Sequence, residues 1–283
     1  MIPILSIIIL AISILTGVVA LPVGIHFLQE KKLISPNFRG SAIPTSYGGL
    51  LAFLYLLLSV LLLGIDQSLA LPLFSLPLFF AMLAASLGAA WLGWLDDTMG
   101  DHVNKGLAGH FRAWLREGTM TTGMIKAWGG IAIAAVAAVV TSGGTFWLWP
   151  LHLLFIALVT NWLNLLDLRP GRCLKFYLIV AVLLTLLYFN QSSTLLFLPL
   201  LGLALAVFRA DLSARVMLGD SGSNLLGVQL GIWLATVCSA PVIAVFTILL
   251  IVGHVIGETI SLTRIIEKSR WLSYLDRLGR GEH

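Results

Sequence analysis

"LALPLFSLPLFFAMLAASLGAAWLGWLDD", residues Leu69–Asp97, carries no charge until its last two positions, where two carboxylates stand side by side. An uncharged run of this length suffices for a membrane-spanning helix, which needs about 20 apolar residues. It is too continuous for a strand of a membrane barrel, where apolar residues alternate in segments of about ten. The stretch therefore reads as a spanning helix with two acids at its exit.

The rest of the chain repeats the pattern. Of 283 residues, 59% are hydrophobic and 11% charged, against roughly 25% charge in a soluble domain. The expected fold is all-α: a polytopic membrane bundle of about nine transmembrane helices. The expected spans are Ile2–Leu28, Tyr47–Gly64, Leu69–Leu95, Met124–Thr141, Phe146–Leu166, Leu174–Phe189, Thr194–Phe208, Ser223–Cys238 and Val242–Thr263. The sixth and seventh meet at the polar turn "NQSS", Asn190–Ser193, and Pro199 is expected to kink the seventh by removing a backbone donor. Residues 1–283 form one membrane-embedded domain. Residues 264–283 make a tail, with Trp271, Leu272, Tyr274, Leu275 and Leu278 among basic residues. That tail is expected along the inner membrane surface, with a disordered tail as the alternative.

All 17 Lys and Arg fall beside the ends of the first, third, fifth, seventh and ninth spans, or at the entry of the next span on the same side. Positive charge marks the cytoplasmic face. The N-terminus is therefore expected outside and the C-terminus inside, in a multi-pass protein of the inner (plasma) membrane. The first segment lacks the features of a cleaved signal peptide and reads as a retained anchor. The net charge of +4 suits anionic lipid or anionic substrates. No nucleic-acid-binding pattern accompanies it.

The acids gather on the same side. Asp96, Asp97, Asp101, Asp167 and Asp220 lie at or just beyond cytoplasmic span ends. A helix C-terminus is partially negative and disfavours acids, so Asp96 and Asp97 call for a cation such as Mg²⁺ or a Lys or Arg. In "NWLNLLD", Asn161, Asn164 and Asp167 recur every three residues along one helical face. Interhelical hydrogen bonding is the plain alternative to a ligand site. In "MLGDSGSNLLG", Met217–Gly227, Asp220 and Ser221 open an apolar helix whose free N–H groups suit phosphate. Asp220 could hold Mg²⁺, a hard ion that prefers oxygen donors, and an ordinary N-cap is the alternative. In "RGSAIPTSYGG", Arg39–Gly49, Gly48 and Gly49 permit close backbone approach.

In this order, "IPTSYGG", "GWLDD", "NWLNLLD" and "MLGDSGS" resemble the polyprenyl-phosphate N-acetylhexosamine-1-phosphate transferases of glycosyltransferase family 4. That family includes the phospho-N-acetylmuramoyl-pentapeptide and GlcNAc-1-phosphate transferases. The resemblance covers Arg39 to Glu258. It implies Mg²⁺-dependent transfer of a sugar 1-phosphate from a UDP-N-acetylhexosamine to polyprenyl (undecaprenyl) phosphate. UMP is released at the cytoplasmic face, and a lipid-linked cell-envelope glycan is begun. It also implies roles: Asp96, Asp97 and Asp220 catalytic, Asp220 and Asp167 on the metal, and Asn161, Asn164, Asp167, Lys105 and Ser221 on the substrates. Homodimers occur in the family.

Two departures stand out. Asp167 is followed by "LRPGRCLK" rather than a second carboxylate motif, so Arg172, with Arg169 and Lys175, becomes a candidate phosphate contact, with an ordinary positive-inside loop as the alternative. The histidine cluster and tenth span of the pentapeptide enzymes are missing, which favours a simpler N-acetylhexosamine donor. His110, in "GLAGH", is a further candidate phosphate contact, with a solvated loop histidine as the alternative. His254 and Glu258, four apart on one helix, read as a structural pair inside the bundle. Two other functions stay open: a transporter or flippase for an anionic lipid-linked substrate, and a non-catalytic lipid-binding homologue.

Overall fold

The computed structural model describes residues 1–37, 39–68, 73–100 and 121–280, with the side chain of Glu258 outside that description. Eleven α-helices occur among the described residues. They are α1 (Ile2–Glu30), α2 (Tyr47–Ser68), α3 (Leu76–Met99), α4 (Thr122–Thr141), α5 (Leu148–Leu166), α6 (Arg172–Leu187), α7 (Leu198–Leu212), α8 (Gly219–Val237), α9 (Ala240–Thr259), α10 (Leu262–Lys268) and α11 (Arg270–Arg277). Each expected span has a helix within it, and the chain is a multi-spanning helical bundle.

Among the described residues, six helices are long and apolar enough to cross a membrane: α1 to α5 and α9. The other three expected spans fall short for separate reasons. Helices α6 and α7 have 16 and 15 residues, and at 1.5 Å per residue neither alone matches a hydrocarbon core of about 30 Å. A 3₁₀ turn, Ser192–Leu196, precedes α7. Helix α8 carries Asp220, Ser221, Ser223, Asn224 and Gln229, which lowers its apolarity. Its neighbours shield it instead: from Ser221 to Trp233 every residue is buried.

Helix α8 is thus the central post. It packs along α3 and α5, and also against α2, α4 and α6. At its far end Trp233 stacks on Phe197 with centroids 4.5 Å apart. Inside, the Tyr177 hydroxyl donates to Gln229 Oε1 at 3.0 Å, an interhelical bond of the kind that holds membrane bundles together. Helix α1 lies against α7. It buries Ser6, Ser13, Gly17 and Gly24 along one stripe while isoleucines and valines face outward. Small residues on one stripe let backbones approach where lipid offers no hydrophobic driving force. Pro199 does not kink its helix. It stands in the first turn of α7, where a missing N–H costs nothing.

The sequence pattern did not anticipate a two-stranded hairpin. Ile34–Pro36 (β1) pairs antiparallel with Ala42–Pro44 (β2), Ser35 opposite Ile43. Its end ties α2 to α8 through the backbone. Met217 N donates to Pro44 O at 2.8 Å, Tyr47 N to Met217 O at 3.1 Å and Gly48 N to Leu218 O at 3.0 Å.

Glycine is required where α8 meets its neighbours. A methyl group on Gly48 would fall 1.9 Å from the Gly222 nitrogen, and one on Gly93 would fall 2.3 Å from the Asp220 carbonyl oxygen. Both obstacles are backbone and cannot step aside. Gly49 has only the ring of Trp94 nearby, at an ordinary 3.6 Å. Gly48→Ala is therefore expected to destabilise the bundle by roughly 1–3 kcal/mol, the usual cost of overpacking. Gly49→Ala should leave it nearly unchanged. Thermal unfolding of the two detergent-solubilised variants, followed by circular dichroism, checks the contrast.

Candidate active site

At one end of the bundle, α3, α5 and α7 finish and α2, α4, α6 and α8 begin. The polar segments singled out in the sequence meet there. Helix α3 continues through Asp96 and Asp97 to Met99, so both carboxylates stand on its last turns. Helix α8 starts at Gly219, four residues before the expected span, which puts Asp220 in its first turn.

Asp97 joins the two ends. Its Oδ1 accepts from Asp220 N at 2.9 Å and its Oδ2 from Ser221 N at 3.2 Å. The first N–H groups of a helix lack intrahelical partners and attract negative charge. The anion seated at the start of α8 is therefore this protein carboxylate, and two donors expected for phosphate are already engaged. The C-terminal dipole of α3 disfavours Asp97, and the N-terminal dipole of α8 offsets it. Ser221 lies beneath this contact. It is fully buried and its hydroxyl donates to Leu218 O at 3.3 Å.

Asp96 and Asp220 share a cation. Lys126, in the second turn of α4, is paired with Asp96 Oδ2 at 3.2 Å and with Asp220 Oδ2. Asn164, at the end of α5, completes the group. Its surroundings are satisfied when its amide nitrogen donates to Asp220 Oδ1 at 2.9 Å and to Ser223 Oγ at 3.0 Å. Its oxygen then accepts from Lys126 Nζ at 3.1 Å. Two carboxylates and one ammonium leave one net negative charge. The side chains of Asp96 and Asp220 stay 25% and 31% exposed, so the cluster is open to a solute.

Asp167 lies beside this cluster, at the C-cap of α5. With Asp211, Met217, Asn37, Leu168, Arg169 and Pro170 it lines a shallow cleft. Burial, together with the charges of Asp211, Asp220 and Asp97, pushes the Asp167 carboxyl well above the ordinary carboxylate range. Asp211 is buried in the last turn of α7 and accepts from Gly171 N at 2.8 Å.

The other candidates divide. Asn161 is half-buried one turn before Asn164. Arg172 is bound to Asp276, with Nε–Oδ1 at 2.9 Å. Lys175 donates to the carbonyls of Leu275 and Asp276. Their charges therefore serve the C-terminal tail. Lys105 and His110 lie outside the described residues, as does Asp101. His254 Nδ1 donates to Leu250 O at 2.7 Å, and its ring lies 5.7 Å from that of Trp162. A pair with Glu258 falls outside the description.

Lys126 and Asp211 were missed as site residues. Lys126 is the lone charge within the fourth apolar run, where it reads as a signal of membrane orientation. Asp211 lies just beyond the seventh run, in "FRADL", and matches no motif. Among the described residues, no three His, Cys, Asp or Glu side chains converge closely enough to hold a metal ion alone.

No curated protein matches the chain. The family model for glycosyl transferase family 4 matches residues 79–240, more than half of the length. That interval contains Asp96, Asp97, Lys126, Asn164, Asp167, Asp211 and Asp220. The chain belongs to glycosyl transferase family 4, the family that includes the polyprenyl-phosphate sugar-1-phosphate transferases.

Proposed function

We propose that the protein transfers an N-acetylhexosamine 1-phosphate from a UDP-sugar to a polyprenyl phosphate such as undecaprenyl phosphate, releasing UMP, in an Mg²⁺-dependent reaction that begins a lipid-linked cell-envelope glycan. The observation that carries this reading is the meeting of Asp96, Asp220, Asn164 and Lys126 at one end of a membrane bundle, on four separate helices. Family membership supports the class of reaction. The position supports the substrates, because a lipid phosphate and a soluble nucleotide sugar can meet only at a membrane face.

We further propose nine crossings, with α6, α7 and α8 spanning inside the shelter of their neighbours. The N-terminus is then outside and the cluster cytoplasmic. The one-sided placement of all 17 Lys and Arg supports this, as does the cluster's place where odd-numbered helices end.

The donor set fits Mg²⁺. This ion takes one or two protein carboxylates and completes its shell with water and substrate phosphate, so three converging protein acids are not needed. Asp220 and Asp96 would hold it, with the Asn164 amide oxygen beside them and Asp167 in reach of the adjoining cleft. When bound, it offsets the charge of the donor pyrophosphate and of departing UMP. The residues of the chain do the rest. Lys126 neutralises the carboxylates and can turn to a phosphate oxygen that displaces them. Asp97 acts as a positioning residue: it fixes the first turn of α8 and with it the direction of Asp220. Asp96, paired with Lys126 and partly exposed, is placed to orient the incoming lipid phosphate.

Purified protein with polyprenyl phosphate, Mg²⁺ and a panel of UDP-N-acetylhexosamines is expected to release UMP with at least one donor. Asp220→Ala should abolish that release. Silence across the panel would sink the transferase reading, and uptake into vesicles without UMP release would replace it with transport. Asp97→Asn is expected to weaken the apparent affinity for Mg²⁺ about 10–100-fold, the usual effect of altering a residue that orients a ligand. A titration of activity against Mg²⁺ measures this; an unchanged midpoint would remove Asp97 from that role. Lys126→Met should lower turnover while leaving a folded bundle, checked by size-exclusion chromatography alongside the UMP assay.

A further inference from the structure

Helix α11 is built inside out. On an ordinary surface helix the polar side faces away from the protein. Here the half-buried positions are Ser269, Ser273, Asp276 and Arg280, all polar and spaced by three or four residues. The other side exposes Trp271 (79%), Tyr274 (61%), Leu275 (53%) and Leu278 (51%).

Asp276 enforces the inversion. Arg172 donates to it through Nε at 2.9 Å and Nη2 at 3.0 Å. Arg280 donates through Nη1 at 3.0 Å and Nη2 at 2.8 Å. Burial opposes charge on Asp276, but the two guanidinium groups outweigh it and hold the carboxyl below the usual range. Arg280 Nε reaches on to Pro170 O at 2.7 Å, on the loop that walls the cleft beside Asp167. Lys175 fastens the backbone of the same helix at Leu275 and Asp276.

We propose that α11 lies on the surface of an anionic bilayer with its apolar stripe sunk into the headgroup region, and that the Arg172–Asp276–Arg280 clamp ties this membrane-seated helix to the wall of the cleft. Two features select lipid as the occupant. The chain reaches α11 directly from α9, a helix of membrane-crossing length, by way of only the short α10, so α11 stands at the level where α9 leaves the bilayer. The stripe is flanked by exposed Arg264, Lys268, Arg270 and Arg277, which complement anionic headgroups, while Trp271 and Tyr274 suit the interface. The inference rests on the membrane location and on none of the chemistry proposed above.

The test uses the full chain with Cys238→Ser, leaving the buried Cys173, and a spin label at Leu275→Cys. The protein is placed one copy per nanodisc in lipid containing phosphatidylglycerol. The label is expected to be severalfold less accessible to a water-soluble nickel relaxant than to oxygen. Adding Asp276→Ala should loosen it, as a more mobile spectrum. Free access of the nickel complex would overturn the proposal. So would protection found only with two copies per disc, which would make the occupant a second chain. An unchanged spectrum in Asp276→Ala would remove the clamp. A label at Trp271→Cys repeats the readings should Leu275→Cys fold poorly. No donor or acceptor is present, so failure here is distinct from failure of the transferase reading.

Discussion

The arrangement at the bundle's polar end depends on one contact: the Asp97 carboxylate seated on the first N–H groups of α8. Each half is unfavourable alone. A carboxylate at a helix C-terminus meets the negative end of the dipole, and a helix N-terminus turned inward leaves donors without partners. Together they make charge-assisted hydrogen bonds of the stronger kind. The contact also sets direction, since it fixes the turn that carries Asp220. Close backbone approach then follows from composition. Gly93 and Gly48 let α3 and α2 reach within a methyl group's width of α8, and no larger residue would let Asp97 reach those donors.

With Asp97 engaged, the charge left in the cluster belongs to Asp96, Asp220 and Lys126. One ammonium between two carboxylates satisfies neither completely, and both stay partly exposed. Fully paired buried charges tend to be structural. An incompletely neutralised, solvent-reachable cluster is instead poised to exchange its cation for another. The adjoining cleft carries two further acids, Asp167 and Asp211, and the crowding of acids at this end of the bundle pushes the Asp167 carboxyl towards its neutral form. Anionic substrates can enter such a region only with a counter-ion.

Much of this was legible in the sequence because it is written locally. Apolar runs mark the helices, and the requirement for a partner at Asp96 and Asp97 follows from the dipole alone. Close approach at Gly48 could be anticipated; that Gly49 would be free of it could not. What stayed hidden is pairing across the chain. Lys126 and Asp220 are far apart in sequence, and a single lysine entering a span reads equally well as an orientation signal. Ser221 belongs to a phosphate-like motif, yet its place beneath Asp97 buries it. Arg172 stands among cations that suit phosphate, and only the folded tail reveals Asp276 as its partner. The hairpin Ile34–Pro44 is short, contains prolines and has no strand periodicity to announce it.

The tail extends the same argument. Its amphipathic spacing is plain in the sequence, but spacing does not say which face turns inward. In water the apolar face would seek the protein. Asp276 reverses that choice because Arg172, buried at the start of α6, needs an anion more than the bundle needs another leucine. An isolated buried guanidinium is costly, and Asp167 and Asp211 line the cleft. Supplying the anion from the tail leaves those acids to the cleft and turns the leucines, Trp271 and Tyr274 outward. One charge requirement at the base of α6 thereby decides both what lines the cleft and what the tail shows to its surroundings.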